Sequence, residues 1–461
     1  MELNVIDFKL SELAAAAGAR LIGSDATVTK VATDSRKCEG ALFIALKGER
    51  FDAHDFIESA VKNGAAAVGV SRDLGIKLNV PVVMCEDTLR LLGLCGQLVR
   101  QQSKARIVSL TGSCGKTTVK ELTTLILSEN GRTIATSGNF NNDVGVPLTL
   151  LRIEPDTEFA VIEQGASHLG DIRRTCEFVK ADTALINNVG GAHIEGFGSF
   201  EGVYQGKSEI LDDVLSRGGS AVIPSDSTWY ERWQYDYASA IASGKLKTFG
   251  SSLNDFVRVA NIKSTRDSVS FDITACDRQF SVSLNMMGEH NAYNAAAACA
   301  LSLISGASAD SLKAGLAKAS NMKGRLFLKD LGNFTLIDDA YNASFNAVLA
   351  AVDALSRCEG RRILIFGDMG ELGAEAESLH SQVGAYAKDR IDEIWCVGKQ
   401  TMATVSAAES KGRHFDTKEE LTEAALSLIK DGTYCSFLIK GSHAMHMEEI
   451  TDRLLAQENQ K

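Results

Sequence analysis

The chain has 461 residues, about three times the ~150 residues typical of one domain, with 45% hydrophobic residues, 23% charged residues and only 4 prolines. This composition excludes a disordered chain and points to two to four compact units, each able to bury a core. The 48 basic residues against 59 acidic ones leave a net charge of −11 with no basic block, which excludes a general nucleic-acid binder but not a local anion site made from a few Lys, Arg and backbone N–H groups.

The start, Met1 to Asp7, lacks the charged and apolar regions of a secretory signal, and no apolar run reaches the ~18 residues of a membrane span. The expectation is a soluble, cytoplasmic protein without membrane insertion. The 10 cysteines are scattered with no C-x-x-C pair, which fits a reducing compartment better than a zinc knuckle or a disulfide scaffold.

Leu10–Ala17 reads as a short helix stopped by Gly18, and the runs 28–36, 41–46, 65–70 and 80–84 read as short strands of a small α/β unit. The polar stretch 101–104 marks a boundary. From 105, apolar strands at 107–110, 159–162 and 184–186 alternate with helical stretches, the pattern of a helix-covered parallel sheet. An antiparallel annex is expected over 245–290, before an alanine-rich helix at 292–304. From 321 the alternation restarts with strands at 334–337, 362–366, 393–397 and 436–439, and Thr417 to Glu420 forms a capping-box start before Leu421. The fold class is α/β in three domains, 1–103, 104–320 and 321–461: a small α/β unit, a central parallel-sheet domain with a phosphate loop, and a Rossmann-like domain.

The sharpest motif is Thr111-Gly112-Ser113-Cys114-Gly115-Lys116-Thr117-Thr118, between the strand 107–110 and a helix with apolar Val119, Leu122, Leu125 and Ile126. Glycines let backbone N–H groups curl around a phosphate at a helix N-terminus, Lys116 reaches the terminal phosphates, and the Thr117 hydroxyl suits Mg²⁺. The strict P-loop pattern fails at its first glycine, where Leu110 stands. Ser113-x-x-Lys116 also matches a serine acyl-transfer motif, but the companion motifs of that class are absent. Cys114 has no His or acid fixed beside it by sequence and reads as loop filler rather than a catalytic thiol.

Glu163 ends a buried strand, and His193 follows the strand at 184–186. In a doubly wound sheet both would meet the phosphate loop and serve a metal; the alternatives are a solvent-facing strand-end Glu and a loop His. Lys207, on composition alone, is a solvated helix lysine. The cluster Gly288 to Asn294 is either plain capping or, through His290, Asn291 and Asn294, a set of polar groups for an adenine edge. Asp338 to Ser344 and Gly367 to Gly373 sit at strand ends of the third domain, suited to ribose hydroxyls, to a metal, or to ordinary turns.

Taken in order, these strings, with Thr33 to Arg36, Phe43 to Gly48, Gly138 to Pro147, Asn188 to Gly198 and Lys440-Gly441-Ser442, resemble the ATP-dependent Mur ligases of bacterial peptidoglycan synthesis along nearly the whole chain. The strings Asn-Asn-Asp-Val-Gly-Val-Pro, Asp-Asp-Ala-Tyr-Asn and Gly-Asp-Met-Gly-Glu-Leu-Gly are most similar to the branch that adds D-alanyl-D-alanine to UDP-N-acetylmuramoyl-tripeptide. The resemblance implies a UDP-binding N-terminal domain with Ser35 and Arg36 at its site, a central ATPase domain, and a C-terminal domain that closes over the nucleotide. It implies ATP and Mg²⁺ as cofactors, ATP held by Gly112 to Thr118, metals at Thr117, Glu163, His193 and a carbamylated Lys207, and catalytic roles for Lys116, Lys207, His193 and Glu163.

The same resemblance implies adenine contacts from His290, Asn291 and Asn294, γ-phosphate and ribose contacts from Arg325 and Asp339, and substrate contacts from Asn141, Asn142, Tyr341, Asn342 and Ser344. The small-molecule partners would be UDP-N-acetylmuramoyl-tripeptide and D-alanyl-D-alanine, with no nucleic acid and a monomeric enzyme. Ser113-Cys114, Gln164, Ser167, Leu169, Phe345, Ala347 and His443 depart from the family pattern. A folylpolyglutamate synthase shares the ATP site but not the Asp34-Ser35-Arg36 unit, and a protein that only hydrolyses or senses ATP would release phosphate without needing an amine.

Overall fold

The computed structural model describes residues 2–48, 51–191, 193–320 and 324–456. The expected start of the third domain, at 321, lies outside the described residues. Three mixed sheets are laid out in chain order. The first has strands β1 (Glu2–Lys9), β2 (Arg20–Ile22), β3 (Thr27–Ala32), β4 (Leu42–Ile44), β5 (Ala67–Val70) and β6 (Val82–Met84), in the order β1-β3-β4-β5-β6-β2. The strands β3 to β6 run parallel, and β1 and β2 close the edges antiparallel. Short, fully buried β4 and β5 read as continuous apolar runs because both faces are covered.

The second sheet holds β7 (Arg106–Thr111), β8 (Thr133–Ala135), β9 (Phe159–Glu163), β10 (Thr183–Ile186), β11 (Ser220–Pro224), β12 (Leu246–Gly250), β13 (Val257–Ser264), β14 (Val269–Ala275) and β15 (Arg278–Leu284). Its order is β15-β14-β13-β12-β11-β10-β7-β9-β8. The antiparallel stretch expected as an annex is an extension of this same sheet: β13 pairs parallel with β12 on one side and antiparallel with β14 on the other. In β14 the burial alternates strictly, the mark of a strand with one wet face.

The third sheet holds β16 (Phe327–Asp330), β17 (Phe334–Asp339), β18 (Arg361–Gly367), β19 (Glu393–Val397), β20 (Gly412–Phe415) and β21 (Cys435–Lys440), in the order β16-β17-β21-β18-β19-β20. All neighbours are parallel except the β16 edge. Asp339, the last residue of β17, is in register with Lys440, the last residue of β21. The edge strands β1, β2, β8, β16 and β20 were not signalled by sequence: four are only 3–4 residues long and carry weak periodicity, and β1, at 8 residues, buries little beyond Phe8.

Helix boundaries follow local chemistry. Leu10–Ala17 ends at Gly18 in the left-handed conformation (φ 60°), and Lys418–Lys430 begins where the Thr417 hydroxyl accepts the Glu420 N–H at 3.1 Å. Among the described residues no helix is long and apolar enough to cross a membrane.

The cores are shared between sheets. Phe8, Leu10 and Leu91 of the first unit belong to one apolar cluster with Ile107, Val146 and Phe178 of the second. The helix Thr88–Gln102 makes this junction, and at Gly93 a β-carbon would lie 2.4 Å from the Phe178 ring. Likewise Ile194, Phe197 and Met287 share a cluster with Met369, Leu372 and Leu438 of the third sheet. Gly93→Leu is therefore expected to lower the thermal unfolding midpoint. Overpacking costs about 1–3 kcal/mol, more than the under ~1 kcal/mol regained in helix propensity.

Candidate active site

The carboxyl ends of the second and third sheets face one cavity of about 1320 Å³. Ligands in open parallel sheets collect at this end of the strands. The strand β7 delivers the loop 111–115, and the helix Lys116–Leu127 begins at once, turning its first N–H groups toward the loop. Gly115 has φ 73°, and a β-carbon there would lie 2.6 Å from Asn294 Oδ1 and 2.7 Å from Asn187 Nδ2, so both backbone and space demand glycine.

The segment after β10 holds this loop by hydrogen bonds. Asn188 Oδ1 accepts the Cys114 N–H at 2.9 Å, and the Asn187 and Asn188 amides donate to the Cys114 carbonyl at 3.0 and 2.9 Å. The Ser113 hydroxyl accepts the Gly190 N–H at 2.9 Å. Asn187 Nδ2 also reaches Asn294 Oδ1 at 3.0 Å, and Asn294 Nδ2 donates to Asn291 Oδ1 at 3.0 Å. The amides singled out for an adenine edge are thus engaged in bracing the phosphate loop, and His290 remains beside them, its imidazole pushed toward the neutral form by burial.

Lys116 donates to the Gly112 carbonyl at 2.8 Å, across the mouth of its own loop, and burial lowers its pKa. Thr117 Oγ1 donates to Glu163 Oε2 at 3.1 Å, and Asn141 Nδ2 donates to Glu163 Oε1 at 2.7 Å. Glu163 is buried, so the solvent-facing reading of that residue is wrong. Asn142 caps the following turn, accepting the Gly145 N–H at 2.9 Å. The Cys114 thiol is pushed up by burial and sits 3.4 Å from Asn188 Oδ1, which fits a filler.

His193 lines the same cavity, but its contacts are with other residues than Glu163: its Nδ1 meets the Glu371 carboxylate and lies 3.3 Å from Ser167 Oγ. That contact holds the Glu371 carboxyl below the usual carboxylate range. Lys207 corrects the solvated reading outright: it is fully buried, its Nζ has no hydrogen-bond partner among the described residues, and it stands 5.5 Å from the Phe197 ring centroid. Burial, with Lys116 nearby, pushes its pKa down to about 7. Among the described residues no three His, Cys, Asp or Glu side chains form a metal-ligand cluster.

From the segment that leads into the third sheet, Arg325 Nη2 donates to Thr117 Oγ1 at 2.8 Å, and its guanidinium lies 4.5 Å from the Tyr341 ring centroid. Asp339 accepts the Leu326 N–H at 3.1 Å and the Lys440 ammonium at 2.6 Å. Lys440, fully buried, also donates to the Asn342 carbonyl at 2.9 Å. Removing one partner of such a buried pair costs about 3–5 kcal/mol, because it strands the other charge. Tyr341, Asn342 and Ser344 all line the cavity, with His443 5.8 Å from the Tyr341 ring.

Ser35 and Arg36 are not in this cavity. Arg36 is turned onto Asp34 at 2.8 and 2.9 Å, and the Ser35 carbonyl accepts Asn63 Nδ2 at 2.8 Å. The site residues that sequence reading missed are Asn187, Lys440 and Glu371; Lys440 and Glu371 stand in strings quoted above but were given no role. Their signal was position: all three lie at or just beyond the carboxyl end of a parallel strand.

Family models match the chain in three places: the Mur ligase family catalytic domain at 27–90, the Mur ligase middle domain at 110–302, and the Mur ligase glutamate ligase domain at 324–443. The UDP-N-acetylmuramoyl-tripeptide–D-alanyl-D-alanine ligase of Escherichia coli is 44% identical, covering 99% of each chain. A crystal structure of MurF from Acinetobacter baumannii superposes with a TM-score of 0.91 at 33% identity, over 98% of this chain and 100% of that one. MurF from Thermotoga maritima, solved in complex with ADP, gives a TM-score of 0.82 at 26% identity, over 93% and 98%. With the phosphate loop, the strand-end acids and the facing third sheet in one cavity, the chain belongs to the Mur ligase family.

Proposed function

We propose that this protein is an ATP-dependent ligase that joins D-alanyl-D-alanine to the terminal carboxylate of UDP-N-acetylmuramoyl-tripeptide in the cytoplasm, giving the pentapeptide precursor of peptidoglycan. The observation that carries this reading is the Arg325–Thr117 bond: it brings a cation from the segment that leads into the third sheet to the loop after β7, where a transferring phosphoryl group would lie. Residues 1–103 would bind the UDP end, 104–320 the nucleotide, and 321–461 would close the site.

A carboxylate is a poor electrophile, so it must be activated. The tripeptide carboxylate attacks the γ-phosphorus of ATP, and the bond to the bridging oxygen breaks, releasing ADP. The amine of D-alanyl-D-alanine then adds to the acyl phosphate carbonyl, loses a proton, and expels phosphate as the amide forms. Lys116, Arg325 and the N–H groups of the loop would offset charge on the phosphoryl group. Closure of the third domain over the cavity would keep water from the acyl phosphate.

Thr117 and Glu163 offer the oxygens for Mg²⁺, which typically binds through one or two carboxylates and substrate phosphates and would neutralise phosphate charge. His193, which lines the same cavity, would be a third ligand. Lys207 fits a carbamate: a buried amine with no partner among the described residues and a pKa near 7 is neutral often enough to add to CO₂, which would turn a cation beside Lys116 into an anion. His290, Asn291 and Asn294 would sit at the adenine, Asp339 at the ribose, and Asn141, Asn142, Tyr341, Asn342 and Ser344 near the peptide substrates. Ser35 and Arg36 would take the UDP end in the first sheet.

The test is phosphate release from Mg-ATP and UDP-N-acetylmuramoyl-tripeptide with and without D-alanyl-D-alanine, the product followed by mass. Equal phosphate and pentapeptide, both dependent on the dipeptide, are expected; phosphate release that ignores the dipeptide would refute the ligase. Lys116→Ala is expected to lower kcat at least about 10²-fold, as loss of a preorganised donor does.

For Lys207→Met, ligation should be lost while stability in CO₂-free buffer at pH 7 rises by about 1–3 kcal/mol, the cost of an unsatisfied buried group. Below pH 7 both the folded and unfolded chains carry the Lys207 proton, and between about 7 and the ordinary 10.5 only the unfolded chain does. Wild-type stability therefore climbs with pH across that window, and the advantage of the Met variant in thermal unfolding should be largest at pH 7 and shrink toward pH 10.

A further inference from the structure

His193 and Glu371 come from different sheets. His193 follows β10, and Glu371 follows β18 in the loop Gly367 to Gly373. Both are non-glycine residues held in the left-handed region, at φ 56° and φ 60°, a conformation that residues with a β-carbon avoid. Such backbone is retained where surrounding contacts impose it, and here the contacts are on both sides of the junction.

The Glu195 N–H donates to the Glu371 carbonyl at 3.2 Å, and a β-carbon on Gly373, itself at φ 55°, would lie 3.4 Å from the Glu195 side chain. Buried Ile194 and Phe197, which follow His193, share a core cluster with Leu372, which follows Glu371. Apolar packing thus brings two strained backbones face to face, and the side chains they present are an imidazole and a carboxylate.

The contact uses one ring nitrogen. Nδ1 meets the Glu371 carboxylate, with Ser167 Oγ 3.3 Å away. A carboxylate only accepts, so Nδ1 carries a proton, and in the neutral ring the lone pair is then on Nε2. Histidines that bind metals are commonly oriented by a carboxylate on the second nitrogen, which fixes the tautomer and raises the basicity of the ligating one.

We propose that Glu371 is a positioning residue for His193, supplied across the domain junction: it sets the Nδ1–H tautomer so that Nε2 faces the metal and phosphate side of the cavity only while the two loops are joined. Closure of the third sheet and assembly of the metal side are then one event. The inference rests on the reading of His193 as a metal-side residue, and the experiment separates the two.

Mn²⁺ is titrated in the presence of ADP, with bound ion read by electron paramagnetic resonance, for the full-length wild type, Glu371→Gln, Glu371→Gly, His193→Ala and the His193→Ala/Glu371→Gln pair. Glycine suits the backbone at φ 60° and so removes the carboxylate without a folding penalty; circular dichroism and thermal unfolding check the fold. Both Glu371 variants are expected to weaken Mn²⁺ binding about 10-fold, the low end for loss of a ligand-orienting partner. The effect of Glu371→Gln should vanish once His193 is absent, and the KM for Mg²⁺ should rise more than kcat falls. Unchanged Mn²⁺ affinity in both Glu371 variants, or an undiminished effect in the His193→Ala background, overturns the proposal while leaving His193 in place. Unchanged affinity in His193→Ala overturns the metal-side reading itself, and the proposal with it.

Discussion

The loop between β7 and its helix is held open by the amides of Asn187, Asn188 and Asn294, and the rest of the site is arranged around that brace. An amide carries both donors and an acceptor, so one side chain can tie two backbones together. Asn187 links the Cys114 carbonyl to Asn294 and so joins the strand β10, the phosphate loop and the start of the alanine-rich helix in one chain of bonds. Asn294 and Asn187 fill the space where a side chain at Gly115 would stand, which is why the loop lies so close against them. A buried amide left without partners costs about 1–3 kcal/mol, so the members of this chain stabilise one another's positions.

Much of the architecture was legible in the sequence because parallel strands buried on both faces leave unbroken apolar runs, and 107–110, 159–162 and 184–186 each became a strand of the central sheet. The strand–loop–helix order at 107–127 was legible because glycines mark the turn between an apolar run and a helix-period pattern. Lys207 shows the limit of composition: a lysine between Gly206 and Ser208 looks solvated, and only the packing of Phe197 and the surrounding sheet reveals an amine with no partner among the described residues. Glu371 shows another limit. Its meaning depends on a contact with a residue 178 positions away, and nothing in the loop Gly367 to Gly373, which also carries Asp368, marks which of its two acids makes it.

The three sheets are joined in different ways. The first and second share an apolar cluster through the helix Thr88–Gln102, with the Phe178 ring seated against Gly93. The second and third meet partly through apolar residues and partly through polar bonds that converge on the cavity, Arg325 to Thr117 and His193 to Glu371. Exposed pairs such as Arg357–Glu289 at 2.6 Å lie at the rim, where solvent leaves them worth at most ~1 kcal/mol. Under the proposed function Arg325 and Thr117 are also groups that a nucleotide would engage, so on that reading substrate binding and junction chemistry share side chains.

Lys440 and Asp339 close two neighbouring parallel strands in register, each as the final residue. Successive side chains of a strand point to opposite faces, and each residue advances the chain by about 3.3 Å. The length of β21 is consequently a ruler: a single-residue insertion or deletion between Cys435 and Lys440 would swing the ammonium to the other face of the sheet and leave the Asp339 carboxylate and the Asn342 carbonyl facing each other. Substitutions along that strand test packing, but a change in its length would erase the floor of the cavity, so tolerance to insertions should end where the strands of the third sheet begin.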